Sequence, residues 1–145
     1  MVTLFLTMLV GAGGNAGNQS AILIIRGLAT GEFDATLPDL GRALRGQTAV
    51  ALILATASAL GGFVRVLVTS GTTTSDAAAI SAALFAIVMS SVVIGTTLPF
   101  GLARIGADPA HAGTSIQVVM DVLGVAVTCV VCHFVLDVLQ SSLVV

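Results

Sequence analysis

Residues 11–20 read GAGGNAGNQS and insert four glycines and three side-chain amides between two apolar runs, Val2–Val10 and Ala21–Ile25. Small residues in a membrane helix let a second backbone approach closely, and amide side chains there need hydrogen-bonding partners. Polar groups at the depth of a membrane core face a bundle interior or a water-filled path rather than lipid. Two interpretations follow: a helix-packing seam with a few buried hydrogen bonds, or one wall of a pathway for a solute.

The whole chain has the composition of a membrane protein. Of its 145 residues, 57% are hydrophobic and 8% are charged, whereas soluble domains carry roughly 25% charged residues. The mean hydropathy is +1.12. The net charge is −2, without a basic cluster of the kind that binds nucleic acid, so no nucleic-acid partner is expected.

We predict an all-α integral membrane fold, with residues 1–145 as a single domain. A bilayer core needs about 20 apolar residues per helix, and four stretches qualify as transmembrane helices: about 2–29, 47–68, 77–99 and 112–139. Between the first two, Leu37, Leu40 and Leu44 share one helical face. This spacing predicts a short amphipathic helix on the membrane surface within residues 30–46.

The five arginines predict the orientation of the chain. Four of them border the first and third connections and one borders the second: Arg26, Arg42, Arg45 and Arg104, against Arg65. Because cationic loops stay cytoplasmic, loops 30–46 and 100–111 are predicted to face the cytoplasm. Both termini then lie outside, which leads us to expect a further helix before residue 1.

The strongest chemical signal is Asp121, which interrupts an otherwise apolar predicted helix. Counted from Ala112 at 1.5 Å per residue, it lies about 14 Å along the helix, nearly halfway across the membrane. An ionised carboxylate there costs a few kcal/mol unless it meets water, a cation or a partner. A polar or small stripe continues on the same face through residues at three- and four-residue spacing: Thr114, Gln117, Gly124 and Thr128. This pattern indicates a helix that lines an aqueous space; pairing of Asp121 with an arginine is the alternative.

The first predicted helix carries a matching polar face. Gly11, Asn15, Asn18 and Gln19 share one side, and Gly13 with Gly17 forms a G-x-x-x-G pair beside it. Carboxylate and amide oxygens suit Mg²⁺, Ca²⁺ or Mn²⁺ rather than soft metals.

One carboxylate per chain is too few for a closed metal cage, but Mg²⁺ is commonly held through one or two carboxylates with its waters retained. Two copies of Asp121 facing each other across a C2 axis would meet that description. We therefore predict a homodimer with Asp121 as the metal ligand. The pore-lining residues predicted with it are Gly14, Asn15, Asn18, Gln117 and Gly124.

Two further motifs point to other chemistry. Residues 11–16 fit the dinucleotide pattern G-x-G-x-x-A, with Asp34 about 20 residues later, but no alternation of strands and amphipathic helices follows. Residues 129–133, Cys-Val-Val-Cys-His, match the c-type haem signature. They lie in an apolar helix, where the two cysteines are better interpreted as small buried hydrophobic residues.

The chain resembles the transmembrane domain of MgtE-type magnesium channels and their eukaryotic solute-carrier relatives. Residues 13–21, GGNAGNQSA, are close to that family's G-G-N-T-G-N-Q-S-A, and the similarity continues through residues 25–32, Leu98-Pro99 and Asp108-Pro109-Ala110. Residues 121–124, Asp-Val-Leu-Gly, are similar to the family's S-D-V-T-G. The resemblance covers essentially the whole chain.

The resemblance implies five helices per subunit, of which this chain supplies the last four, and a homodimer with a pore between the second and fifth. It implies that Asp121 is the pore aspartate that holds largely hydrated Mg²⁺ and that Asn18 lies near the inner part of the path. The family's cytoplasmic N-domain and CBS pair have no counterpart in this chain. The family's Asn-Pro before the pore aspartate is also not seen, where residues 112–115 read AGTS.

We therefore expect a membrane transporter rather than an enzyme, in a prokaryotic plasma membrane, passing Mg²⁺ as the transported ion through a pore at a dimer interface. A transport alternative is an ion-coupled exchanger or a broader carrier of Mn²⁺, Co²⁺ or Ca²⁺. An alternative of another class is a non-transporting membrane scaffold, in which the amide-rich stretch only mediates dimerisation.

Overall fold

The computed structural model of the chain describes residues 2–69 and 71–143, with the side-chain surroundings of residues 4–69 and 71–138. Four long helices follow one another: α1 (Val2–Thr30), α2 (Leu37–Leu67), α3 (Thr74–Arg104) and α4 (His111–Leu143). The predicted ranges fall along these helices, and α2, α3 and α4 extend beyond theirs at one end or both.

Local sequence signals set the helix ends. The side chain of Thr36 caps α2, and Thr73 with Asp76 forms a reciprocal capping box at the start of α3. Gly31 and Gly106, at φ 75° and 74°, adopt the left-handed conformation just after α1 and α3. Their positive φ allows Glu32 and Ala107 to donate backbone hydrogen bonds back into the last helical turns, as glycine-terminated helices do.

The predicted amphipathic surface helix is not observed as a separate element. Residues 37–46 form the first turns of α2, which continues without a break to Leu67. Gly41 and Gly46 both lie within this continuous helix, so neither marks a turn. Asp39 is buried: its carboxylate accepts a hydrogen bond from the Asp34 backbone N–H at 2.8 Å and pairs with Arg42 at 2.8 Å.

Helix α3 is the centre of the bundle, since it packs against all three other helices, while α1 also packs along α4 and barely meets α2. The crossing of α1 and α3 is close because it is built from small residues. Ser91, fully buried, donates a hydrogen bond from Oγ to the Gly13 carbonyl, and Gly95 lies directly against the Gly17 backbone. The G-x-x-x-G pair of α1 therefore faces α3.

Three of the described helices are long and apolar enough to cross a membrane: α2, α3 and α4 through Val138. Helix α1 has the length, but its amide-rich stretch lowers its hydropathy, so the expected fourth span is not shown.

Candidate cation site between α1 and α4

Asp121 lies on the exposed side of α4, and one neighbour fixes its carboxylate. Gln117, one helical turn earlier, donates a hydrogen bond from Nε2 to Asp121 Oδ1 at 2.9 Å. This i,i+4 pair leaves the second carboxylate oxygen, Oδ2, without a hydrogen bond within the part of the chain that the structure describes. Both side chains lie on the exposed surface of the single chain. The site therefore presents a positioned carboxylate with a free oxygen and an amide oxygen beside it.

These two side chains open into a shallow groove of about 400 Å³ along the seam of α1 and α4. Asp121 is its charged residue, and Gln117 and Thr7 are its other polar side chains. Apolar groups or bare backbone form the remaining wall: Leu6, Val10, Gly11 and Val125. Sequence reasoning did not identify Thr7 as part of this wall, although its four-residue spacing from Gly11 places it on that face.

Gly14 brings α1 against the site. A Cβ built on Gly14 would lie 2.5 Å from both terminal atoms of Gln117 and 2.8 Å from its Cδ. The absence of a side chain at position 14 therefore makes room for the Gln117 amide in the conformation that reaches Asp121.

Asn18 lies on the same seam between α1 and α4, one helical turn of α4 away from Gln117. Its Oδ1 lies 3.6 Å from the point where a Cβ on Gly113 would stand, and Gly113 is one helical turn before Gln117. The predicted residues Asp121, Gln117, Gly14 and Asn18 thus lie along one line between α1 and α4.

Asn15 lies elsewhere. It lines a groove of about 440 Å³ that runs between α1, α2 and α3, together with Gln19, Gln47 and Ser58. The sequence placed Asn15 and Asn18 on one face of α1. In the structure Asn15 lines this groove, whereas Asn18 lies beside Gly113 of α4.

The polar stripe of α4 turns inward after Asp121. Gly124 is buried, and a Cβ built on it would lie 3.2 Å from Val10 Cγ2. Thr128 is fully buried and donates from Oγ1 to the Gly124 carbonyl at 2.6 Å. In the single chain, therefore, Gln117 and Asp121 are exposed, whereas Gly124 and Thr128 serve helix packing.

No arginine lies within ion-pair distance of Asp121 in residues 4–69 and 71–138, where Arg42 pairs with Asp39 and the His133 ring contacts Asp137. The same residues contain no group of three or more Asp, Glu, His or Cys side chains that could hold a metal ion. The described chain thus supplies one carboxylate to this groove, which matches a cation that keeps most of its water rather than one held in a closed cage.

The structure supports neither the dinucleotide motif nor the haem motif. Residues 11–16 are continuous α-helix, so the turn that a dinucleotide site requires is not formed there. In the Cys-Val-Val-Cys-His segment Cys129 is exposed, whereas Cys132 is buried with its Sγ 3.8 Å from the Ala79 carbonyl. The two thiols face different surroundings and cannot together attach one haem.

These features define a class: an α-helical integral membrane protein whose seam between two helices carries an unneutralised carboxylate. Residues 6–131 match the family model MgtE, described as a divalent cation transporter. The chain is also similar to the magnesium transporter MgtE of Thermus thermophilus, with 32% identity over 139 residues. That match covers 92% of this chain but 29% of the relative, so the chain spans under a third of the relative's length. The chain belongs to the MgtE family, which confirms the resemblance seen in its sequence.

Proposed function

We propose that this chain passes Mg²⁺ across a membrane through a pore at the interface of two copies, with Asp121 of both copies holding the hydrated ion. The observation that carries the proposal is the Asp121 carboxylate, exposed about a third of the way along the apolar helix α4, oriented by Gln117 and without a cationic partner in the described residues. Membership of the MgtE family supports the ion and the process.

The physical chemistry favours a shared ion. A carboxylate within a membrane costs several kcal/mol unless it is compensated. Two copies facing each other would also repel unless a cation lies between them. A hydrated divalent ion meets both needs, because Mg²⁺ releases water reluctantly and is bound through one or two carboxylates. Asn18 and Gln117 then bind its water molecules along the seam.

A negative-inside potential is sufficient to drive entry. Each elementary charge gains about 2.3 kcal/mol per 100 mV, so a dication gains roughly twice that. We therefore propose a channel-like path without a coupling ion, in a prokaryotic plasma membrane, with loops 30–46 and 100–111 at the cytoplasmic side. No catalytic role is part of the proposal.

The coupling test separates this proposal from the exchanger. Purified protein in sealed liposomes is given external Mg²⁺ under a fixed voltage, in Na⁺-free buffer of equal pH on both sides, while dyes inside report Mg²⁺ and H⁺. We expect Mg²⁺ to enter without an efflux of protons in proportion to it. Entry that requires Na⁺ or moves protons in fixed proportion would overturn the channel and establish the exchanger. Repeating the assay with Mn²⁺, Co²⁺ and Ca²⁺ measures selectivity.

Gly14→Ala is expected to lower Mg²⁺ flux several-fold without unfolding the protein. The new Cβ displaces the flexible end of Gln117, which gives way at low cost and loses its hydrogen bond to Asp121. The matched control is Gly61→Ala, because it lies on the exposed side of α2, outside this groove, and nothing stands within 4 Å of its Cβ position. Equal flux in the two variants would show that the position of Gln117 does not matter for transport.

Asn18→Ala is expected to reduce flux more than Asn15→Ala does. Asn18 faces α4 beside the proposed path, where its amide would bind water on the ion, while Asn15 lies in the groove toward α2. The loss should be smaller than that caused by removing the Asp121 charge. The measurement is the initial rate of Mg²⁺ entry at equal protein density, and a larger loss in Asn15→Ala would move the path to the other groove.

A further inference from the structure

A stripe of metal-binding side chains remains unused on the outer face of α4. Cys129, His133 and Asp137 follow at four-residue spacing, which places them one above another on a helix surface. All three are exposed and lie along the same open hollow with Val130 and Phe134. Cys129 and His133 are the exposed end residues of the Cys-Val-Val-Cys-His segment, which does not attach haem.

The stripe is already partly ordered. His133 Nε2 lies 3.4 Å from Asp137 Oδ2, so this ring nitrogen faces the carboxylate. This contact leaves the other ring nitrogen, Nδ1, available. Imidazoles that bind metals commonly hold a carboxylate on their second nitrogen, which fixes the ring and raises its basicity.

The stripe is separate from the groove of Asp121. His133 follows Asp121 by twelve positions, about 18 Å along the helix axis. Cys132, next to His133, lies against the Ala79 carbonyl, near the start of α3. The stripe therefore lies at the end of the bundle where α2 connects to α3.

We propose that Cys129 and His133 bind a thiophilic divalent metal ion, Zn²⁺ or Co²⁺, with Asp137 orienting the imidazole. Thiolate and imidazole ligands select such ions over Mg²⁺, and two ligands at i and i+4 on one helix are a known metal-binding arrangement. Cys129 and Asp137 are about 12 Å apart along the axis, so Asp137 does not reach the same ion. The described residues offer no third ligand around this point, and water completes the coordination.

The test is Co²⁺ titration of the full chain in detergent, followed by the thiolate-to-Co(II) charge-transfer absorption. The wild type is expected to develop this band, and a large excess of Mg²⁺ should leave it in place. Cys129→Ser should abolish the band, while Cys132→Ser, the matched control with a buried thiol, should retain it. Asp137→Asn should weaken the apparent Co²⁺ affinity about tenfold, and His133→Ala by more.

Three results would overturn the proposal: no band in wild-type protein whose Cys129 thiol is shown to be free, a band that survives Cys129→Ser, or equal loss in Cys132→Ser. Circular dichroism of each variant shows that the helices are intact. The proposal does not depend on the transport function, because Cys129, His133 and Asp137 lie outside the groove of Asp121.

Discussion

Gly95→Ala is expected to lower the free energy of unfolding by about 3 kcal/mol, the upper range for overpacking a close contact. A Cβ at position 95 would overlap the backbone oxygen of Gly17 and lie 2.9 Å from its carbonyl carbon and 3.0 Å from its Cα. Because the obstacle is backbone, no side-chain rotation relieves it, and α3 must move away from α1. The measurement is thermal or denaturant unfolding of the protein in detergent.

Gly101→Ala is the control for this effect, since it lies six positions later in the same helix with nothing within 4 Å of its Cβ position. Alanine there should be neutral or stabilise the helix by about 0.5–1 kcal/mol. If the two variants unfold alike, the close crossing of α1 and α3 is wrong.

Asp121→Asn is expected to reduce Mg²⁺ flux by roughly a hundredfold or more. The amide keeps the shape and a hydrogen bond to Gln117 but removes the charge that attracts a dication. Hydrogen bonds to charged groups contribute roughly 1.5–3 kcal/mol each. Two copies lose about twice that, and each 1.4 kcal/mol is about tenfold. The measurement is the initial rate of Mg²⁺ entry into liposomes.

Asp137→Asn provides a charge-matched control on the same helix, outside the α1–α4 groove, and should conduct like wild type. If the chain is a non-transporting membrane scaffold, the opposite result is expected at position 121. In that case Asp121→Ala leaves function intact and stabilises the fold by removing a costly group. Near-wild-type flux in Asp121→Asn would remove this residue from the mechanism.

The sequence was sufficient to find the helices because their signals are local. The long apolar runs located the four helices. Thr36 and Thr73, which cap the starts of α2 and α3, were not recognised as caps, so the predicted ranges 47–68 and 77–99 begin later than Leu37 and Thr74. It also singled out Asp121 and Gln117 as one stripe, because a four-residue spacing fixes their neighbourhood on any helix. The separate surface helix predicted within residues 30–46 is not observed, because Gly46 weakens the helix without ending it and residues 37–46 continue into α2.

The packing around α1 could not be predicted, because it depends on where the other helices lie. Gly13 and Gly17 face α3, Gly14 and Asn18 face α4, and Asn15 faces the groove beside α2. A helical wheel shows Asn15 and Asn18 as neighbours, but a boundary between two packed helices falls between them. Gly124 could not be predicted for the same reason. It shares a helical stripe with Asp121, yet Asp121 is exposed and Gly124 is buried against α1.

Whether the chain forms a Mg²⁺ pore is best measured as Mg²⁺ entry under voltage alone into liposomes that hold the purified wild-type chain. We expect entry above that of protein-free liposomes, at a rate that rises as the interior is made more negative. Folded protein that gives no entry above the protein-free level at any voltage would contradict the proposed pore.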